Sequence, residues 1–294
     1  MTALVPSART LFTQEILKTE EELDLGRAAL LVAKEEYPQL PVERYLTRLD
    51  ALAEEVRDHL GGEPAPPVVL RELTEVLFTR HGFQGNREEY YDHRNSFLNE
   101  VLDRKLGIPL TLGVVVMEVG RRLDLPLEGV NFPGHFLVRA PGEAMNLLVD
   151  PFEGGRILFE DQTQELLDRV YGGMVRVQPG FLEPVGPRQV LARLLRNLKG
   201  IYLNEEDGPR AVAVLERLLL LEPDAPAELR DMGTLLARMG RTTEAREPLE
   251  RYLAVAPDTG DARRIASLLD RLRRMEGAPA EDEARAEDEP REDA

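Results

Sequence analysis

Three features of this sequence predict an α+β fold. Apolar residues recur at helical spacing through residues 9–81. Apolar and polar residues alternate across residues 136–138 and 147–149, on either side of a turn signal. A Pro-Asp pair returns after 34 residues near the C-terminus. Helices should therefore lead, a small antiparallel sheet with its own helices should follow, and helical hairpins should close the folded part.

In the leading region, Leu23, Leu25, Ala28, Ala29, Val32 and Ala33 keep a helical period. It stops before Tyr37-Pro38, because a residue preceding proline is pushed out of the helical region. A second helix is expected from Pro41, where a missing N–H costs nothing, through Tyr45, Leu46, Leu49, Leu52, Ala53 and Val56 to Leu60-Gly61-Gly62. GGEPAPP reads as a turn-rich linker. A third amphipathic helix covers residues 68–78 and is closed by His81-Gly82-Phe83. No chemistry is visible in this part.

From Gly85 to Phe181 the pattern becomes mixed. Ser96 stands as a capping residue ahead of an apolar stripe over residues 97–102, and Gly107 supplies the stop. GIPLTLGVVVMEVGRRLDLP follows. Val114-Val115-Val116 would suit a strand, but the length, Pro109 at the entry and Arg121-Arg122 in the last turn favour a helix. Gly113 and Gly120 would share one face of it and allow a close neighbour.

Residues 135–150 read as an antiparallel hairpin around Pro141-Gly142-Glu143-Ala144. If Ala140 pairs with Met145, then Phe136 faces Val149 and Val138 faces Leu147, which makes one side wholly apolar. On the other side His135 faces Asp150 and Arg139 faces Asn146. Directly opposite residues have β-carbons roughly 4.5–5.5 Å apart, so register alone predicts a His–Asp contact.

The C-terminal repeat is expected to be helical. Counting back from Pro223 and Pro257 matches Leu198 with Met232, Tyr202 with Leu236, Ala211 with Ala245 and Leu215 with Leu249. That is the tetratricopeptide length and layout, with Gly233 and Ala245 where two helices cross. GAPAEDEARAEDEPREDA carries no large apolar residue and is expected to be disordered. The expected divisions are 1–84 for the leading helices, 85–184 for the mixed core, 185–274 for the repeats and 275–294 for the acidic tail.

Composition narrows the function classes. The chain has no cysteine, which removes disulfides, thiolate metal sites and thiol nucleophiles. Nothing reaches the roughly 18 uninterrupted apolar residues of a membrane span, and the N-terminus lacks a leader pattern, so a cytoplasmic protein is expected. The net charge of −17 opposes a general grip on nucleic acid, although residues 276–294, with nine acids and two arginines, carry −7 of it. His59, His81 and His93 show no ligand spacing, and no glycine-rich phosphate loop occurs, so neither a metal nor a cofactor is expected.

The stretch YYDHRNSFLNEVLDRKLGIPLTLGVVVMEVGRRLDLPLEGVNFPGHFLVRA, followed by VDPFEGG, resembles the transglutaminase-like domain of the SirB family. The resemblance covers nearly the whole chain apart from the tail. It implies a papain-like core: a helix packed on an antiparallel sheet, with a nucleophilic cysteine opening the helix and His and Asp on adjacent strands. It also implies helices before that core and tetratricopeptide-like hairpins after it.

Carried over by position, Leu123-Asp124-Leu125-Pro126 matches the helix end, His135-Phe136-Leu137 the His strand and Asp150-Pro151 the acid. Gly107-Ile108-Pro109 then falls on the motif that holds the cysteine, so the nucleophile position is Pro109. Proline has no group that attacks a carbonyl. The nearest hydroxyl, Thr111, lies two positions on and about 200° round a helix axis. The resemblance places Asn95 and Asn131 near the cleft, Gly134 lets backbone approach, and a helix start at Pro109 offers N–H groups to an anion or carbonyl.

The resulting expectation is a degenerate triad of His135 and Asp150 in a non-catalytic protein, with Asn95, Thr111, Asn131 and Gly134 as ligand-binding candidates. Such a protein would bind a protein or peptide partner through cleft and repeats and act as a regulator, without membrane or direct nucleic-acid contact. The alternative is a hydrolase or acyltransferase in which His135 and Asp150 activate water or a hydroxyl.

Overall fold

The computed structural model describes residues 6–62, 64–142 and 146–277. They form an α+β chain that divides into two compact units, Met1–Ile201 and Tyr202–Ala294. The turn residues Glu143-Ala144-Met145 and the tail from residue 278 lie outside the described residues.

The first unit opens with α1 (Ala8–Ile16), α2 (Leu25–Glu36), α3 (Val42–His59) and α4 (Pro66–Thr74), the last running on into a π-helical turn over Glu75–Arg80. Asp24 caps α2 by accepting the Arg27 N–H at 2.8 Å, and Pro66-Pro67 occupy the first turn of α4, where proline costs no hydrogen bond. The expected linker thus feeds directly into the third of the expected helices.

A two-residue parallel pair, β1 (Gln84–Gly85) and β2 (Leu106–Gly107), brackets α5 (Leu98–Arg104). Here the expected signals moved. Ser96 does not cap α5; it ends a 3-10 turn, Phe97 holds the cap position, and the Ser96 hydroxyl is buried without a partner. The stop is Lys105 rather than Gly107, in the left-handed conformation at φ 63°.

At the centre stands α6 (Pro109–Arg122), in which every residue as far as Gly120 is buried. A helix that is apolar all round must be covered all round. The sheet packs on one side of it and α2 to α5 on the others, which is why a strand-like run of valines folds as helix. Its one deep charge, Glu118, is held by Arg121 at 3.1 Å and Arg122 at 2.8 Å.

The sheet comprises β3 (Glu128–Val130), β4 (Leu137–Ala140), β5 (Leu147–Asp150), β6 (Arg156–Phe159) and β7 (Pro184–Val185), all antiparallel in the order β6-β5-β4-β3-β7. Between β6 and β7 lies α7 (Thr163–Tyr171), whose Leu166 and Leu167 join Val130, Phe132, Leu137, Leu148 and Leu158 in a second core on the far face. The unit closes within α8 (Pro187–Asn204).

The hairpin register differs from the expected one by two residues. Val138 pairs with Val149 and Ala140 with Leu147, so Leu137 comes level with Asp150 and His135 lies before the strand. Side chains alternate faces with a period of two, so an even shift leaves each on its expected side. Phe136, Val138 and Val149 still turn towards α6, and His135 still shares a face with Asp150.

The second unit carries α9 (Gly208–Leu221), α10 (Pro226–Arg238), α11 (Thr242–Val255) and α12 (Ala262–Gly277). Gly233 sits against Leu249 and the Ala245 carbonyl, with a β-carbon there only 2.4 Å from Leu249 Cγ, so the two helices cross at the small pair. The four matched pairs of the 34-residue repeat are all buried. Among the described residues no helix is long and apolar enough to cross a membrane.

Candidate functional site

The turn that carries His135 is built by Pro133-Gly134. Proline presets the first central position and glycine takes a positive φ of 69° at the second, as a type II turn requires, and the His135 N–H closes it on the Phe132 carbonyl at 2.9 Å. Gly134 is exposed, yet a β-carbon on it would stand 2.8 Å from Val170 Cγ1. The position thus serves the turn and a close approach of α7.

From this turn His135 Nε2 meets Asp150 Oδ1 at 2.8 Å. Asp150 is fully buried at the end of β5, and the same oxygen accepts the Phe152 N–H at 3.1 Å and the Glu153 N–H at 3.2 Å. Its backbone carbonyl accepts the Gly155 N–H at 3.0 Å, closing a tight loop whose glycines both take positive φ, 68° at Gly154 and 73° at Gly155. A β-carbon at Gly155 would sit 2.2 Å from the Phe78 ring, whereas nothing lies within 4 Å of one at Gly154. The carboxylate is thus locked by backbone, and the imidazole is oriented by the carboxylate. Asp150 Oδ2 is buried without a partner.

Pro109 occupies the first position of α6, with Ile108 at the cap. Thr111 is fully buried, and its hydroxyl is spent twice: it donates to the Asn95 carbonyl at 2.6 Å and accepts the Ile108 N–H at 3.2 Å. It is a cap for the helix start. Asn95 is equally buried, accepting from Asn86 Nδ2 at 3.0 Å and donating to the carbonyls of Glu89 at 2.7 Å and Tyr90 at 3.2 Å. The polar groups of Asn95 and Thr111 therefore hold the loop and the helix together rather than facing a ligand.

Asn131 is exposed and accepts from Arg193 Nη1 at 2.8 Å, while Arg193 Nη2 donates to the His135 carbonyl at 2.6 Å. One guanidinium on α8 thus ties together both ends of the turn that carries the imidazole. Three residues that sequence reasoning did not single out surround His135: Phe152, edge-on at 6.2 Å; Tyr90, edge-on to Phe152 at 5.8 Å; and Arg193, over the Phe136 ring at 5.6 Å. Tyr90 stood inside the quoted motif, but nothing in its spacing marked it. Arg193 lies 58 residues from His135 on an ordinary amphipathic helix and carried no signal.

A buried helix start, a sheet behind it and a His–Asp pair, the His just ahead of one strand and the Asp at the end of its neighbour, define a class. The chain belongs to the transglutaminase-like superfamily, whose model matches residues 43–196; a tetratricopeptide repeat model matches residues 198–270. More particularly, it is similar to the UPF0162 proteins. One from Xylella fastidiosa (strain 9a5c) is 41% identical over 243 residues, 82% of this chain and 86% of its own length. Another, from Pseudomonas aeruginosa, is 32% identical over 257 residues, 86% of this chain and 92% of its own. F-box only protein 21 of Mus musculus is 33% identical over 148 residues, 48% of this chain and 22% of that protein. No solved structure matches. These relatives do not bear the SirB name, which rests on the sequence motifs alone.

Proposed function

We propose that the protein is a non-catalytic binding module of regulatory type, with a cleft at His135 and helical repeats that receive a protein or peptide partner. The observation that carries this reading is the helix start. Pro109, which the resemblance puts at the nucleophile position, opens α6, and the neighbouring Thr111 hydroxyl already serves two backbone groups. Neither Pro109 nor Thr111 thus offers His135 a free group to activate. In the repeat unit a groove of about 420 Å³, lined by Val212, Leu220, Met232, Leu236 and Arg251 among others, offers the apolar floor and charged rim that suit a peptide. The cysteine-free composition supports a cytoplasmic setting.

The alternative reading, a hydrolase or acyltransferase, draws on the same His135–Asp150 pair acting on water. Both readings are tested on the full chain against a panel of amide and ester substrates. Turnover no greater than that of His135→Ala supports the binding module. Turnover that His135→Ala abolishes would replace it with the hydrolase. For the repeats, Leu220→Glu should remove specifically cross-linked partners without lowering the melting temperature.

A further inference from the structure

Arg193 has an electrostatic situation unlike that of its neighbours. Its side chain is half-buried on α8, and among the described residues no carboxylate lies within ion-pair distance of it. Burial lowers the guanidinium from its ordinary value, partly offset by its electrostatic coupling to Tyr90. Tyr90 feels the converse, its hydroxyl raised by burial and drawn back by Arg193. A desolvated cation without a counter-charge costs stability. Of the five N–H donors of a guanidinium, two are used, on Asn131 and on the His135 carbonyl. Nε–H and one hydrogen on each terminal nitrogen are left over.

Four rings, that of His135 included, form one continuous strip beside Arg193. The Tyr91 ring, 76% exposed, meets Tyr90 at 5.3 Å, Tyr90 meets Phe152 at 5.8 Å, and Phe152 meets His135 at 6.2 Å. Arg193 touches the far end of the strip through the His135 carbonyl. Asn95 fixes the near end by bonding the Glu89 and Tyr90 carbonyls.

We propose that Arg193 anchors a carboxylate-binding site beside His135, with the Tyr90 hydroxyl as second donor and the Tyr90–Phe152–His135 edge as its wall. This rests on reading the cleft as a binding site and names the group it recognises. A guanidinium fork matches a planar carboxylate in shape. One formal positive charge neutralises a monoanion and leaves a dianion under-compensated. In a bound peptide that carboxylate is the C-terminus or an acidic side chain.

The test follows the ring signals of labelled His135 and the Nε signal of Arg193 by NMR in the full chain while acetate is added, with acetamide as the neutral isostere. Acetate should give saturable shifts and acetamide none. Arg193→Gln should remove the response, and Arg193→Lys, which keeps charge but loses the fork, should weaken it about tenfold. Because Arg193 also ties the His135 turn, Tyr90→Phe provides a second variant: it should weaken acetate binding while leaving the melting curve unchanged. N-acetylglycine binding tighter than N-acetylaspartate amide would assign the terminus, and the reverse order an acidic side chain. Equal shifts with acetate and acetamide, an acetate response that persists in Arg193→Gln, or phosphate binding more tightly than acetate would overturn the proposal. Such a failure would leave the substrate-panel result untouched.

Discussion

Phe136 packs so closely on Gly113 that a β-carbon on the glycine would stand 2.6 Å from the ring. This contact seats β4 on α6 one residue away from His135. Gly113→Ala must therefore displace the ring or the helix, and it should cost about 1–3 kcal/mol as an overpacking change. Thermal melts should fall by a few degrees. Because Phe136 adjoins His135, the His135 ring signals should move as well.

Asp150 Oδ1 accepts three hydrogen bonds from a fully buried position. Asp150→Ala strands the Phe152 and Glu153 N–H groups and frees the imidazole, for a loss of about 3 kcal/mol or more. Asp150→Asn keeps an acceptor in place and should lose distinctly less. Urea unfolding of the three proteins compares them directly, and equal losses would show that the Oδ1 contacts contribute little.

Thr111 makes a similar case at the helix start. Thr111→Val keeps shape but removes the hydroxyl that receives the Ile108 N–H, and should cost about 1–2 kcal/mol. Thr111→Ser should recover most of it. If Thr111 were instead a ligand contact, acetate binding would change in the valine variant while stability would not.

An acid-sensitive tether joins α3 to α5. Burial alone would raise the Asp103 carboxyl, but hydrogen bonds from Tyr45, at 2.7 Å, and from Arg48 outweigh it and hold the carboxyl below the usual aspartate range. A depressed carboxyl gives stability that is present above the unfolded value near 4 and is lost as pH falls through the lower folded value. Asp103→Asn should therefore melt slightly below the wild type at pH 7 and converge with it in strong acid. Asp103 is half-exposed, so solvent screening keeps the gap under about 1 kcal/mol.

Periodicity was a good guide wherever one local cause decided the structure. Pro109 opens α6 and Arg121-Arg122 close it, because proline and the end charges act within a turn of where they stand. The His135–Asp150 contact was legible for a subtler reason: the pairing is offset by two residues, and face depends only on parity. Signals that depend on tertiary surroundings misled. Ser96 resembles a cap in sequence but is buried in the preceding turn, and Lys105 takes a left-handed conformation that Gly107 was expected to supply. Arg193 was invisible because its role comes from where α8 lies, which no spacing within the helix records.

The paired glycines after Asp150 look alike in sequence and are not alike in freedom. A library randomised at both positions and selected for folding should return glycine alone at 155, where the ring of Phe78 occupies the space any side chain would need. At 154, which is open and merely left-handed, it should return asparagine and aspartate as well. The recovered alphabets at two adjacent letters would thus separate a steric prohibition from a conformational preference.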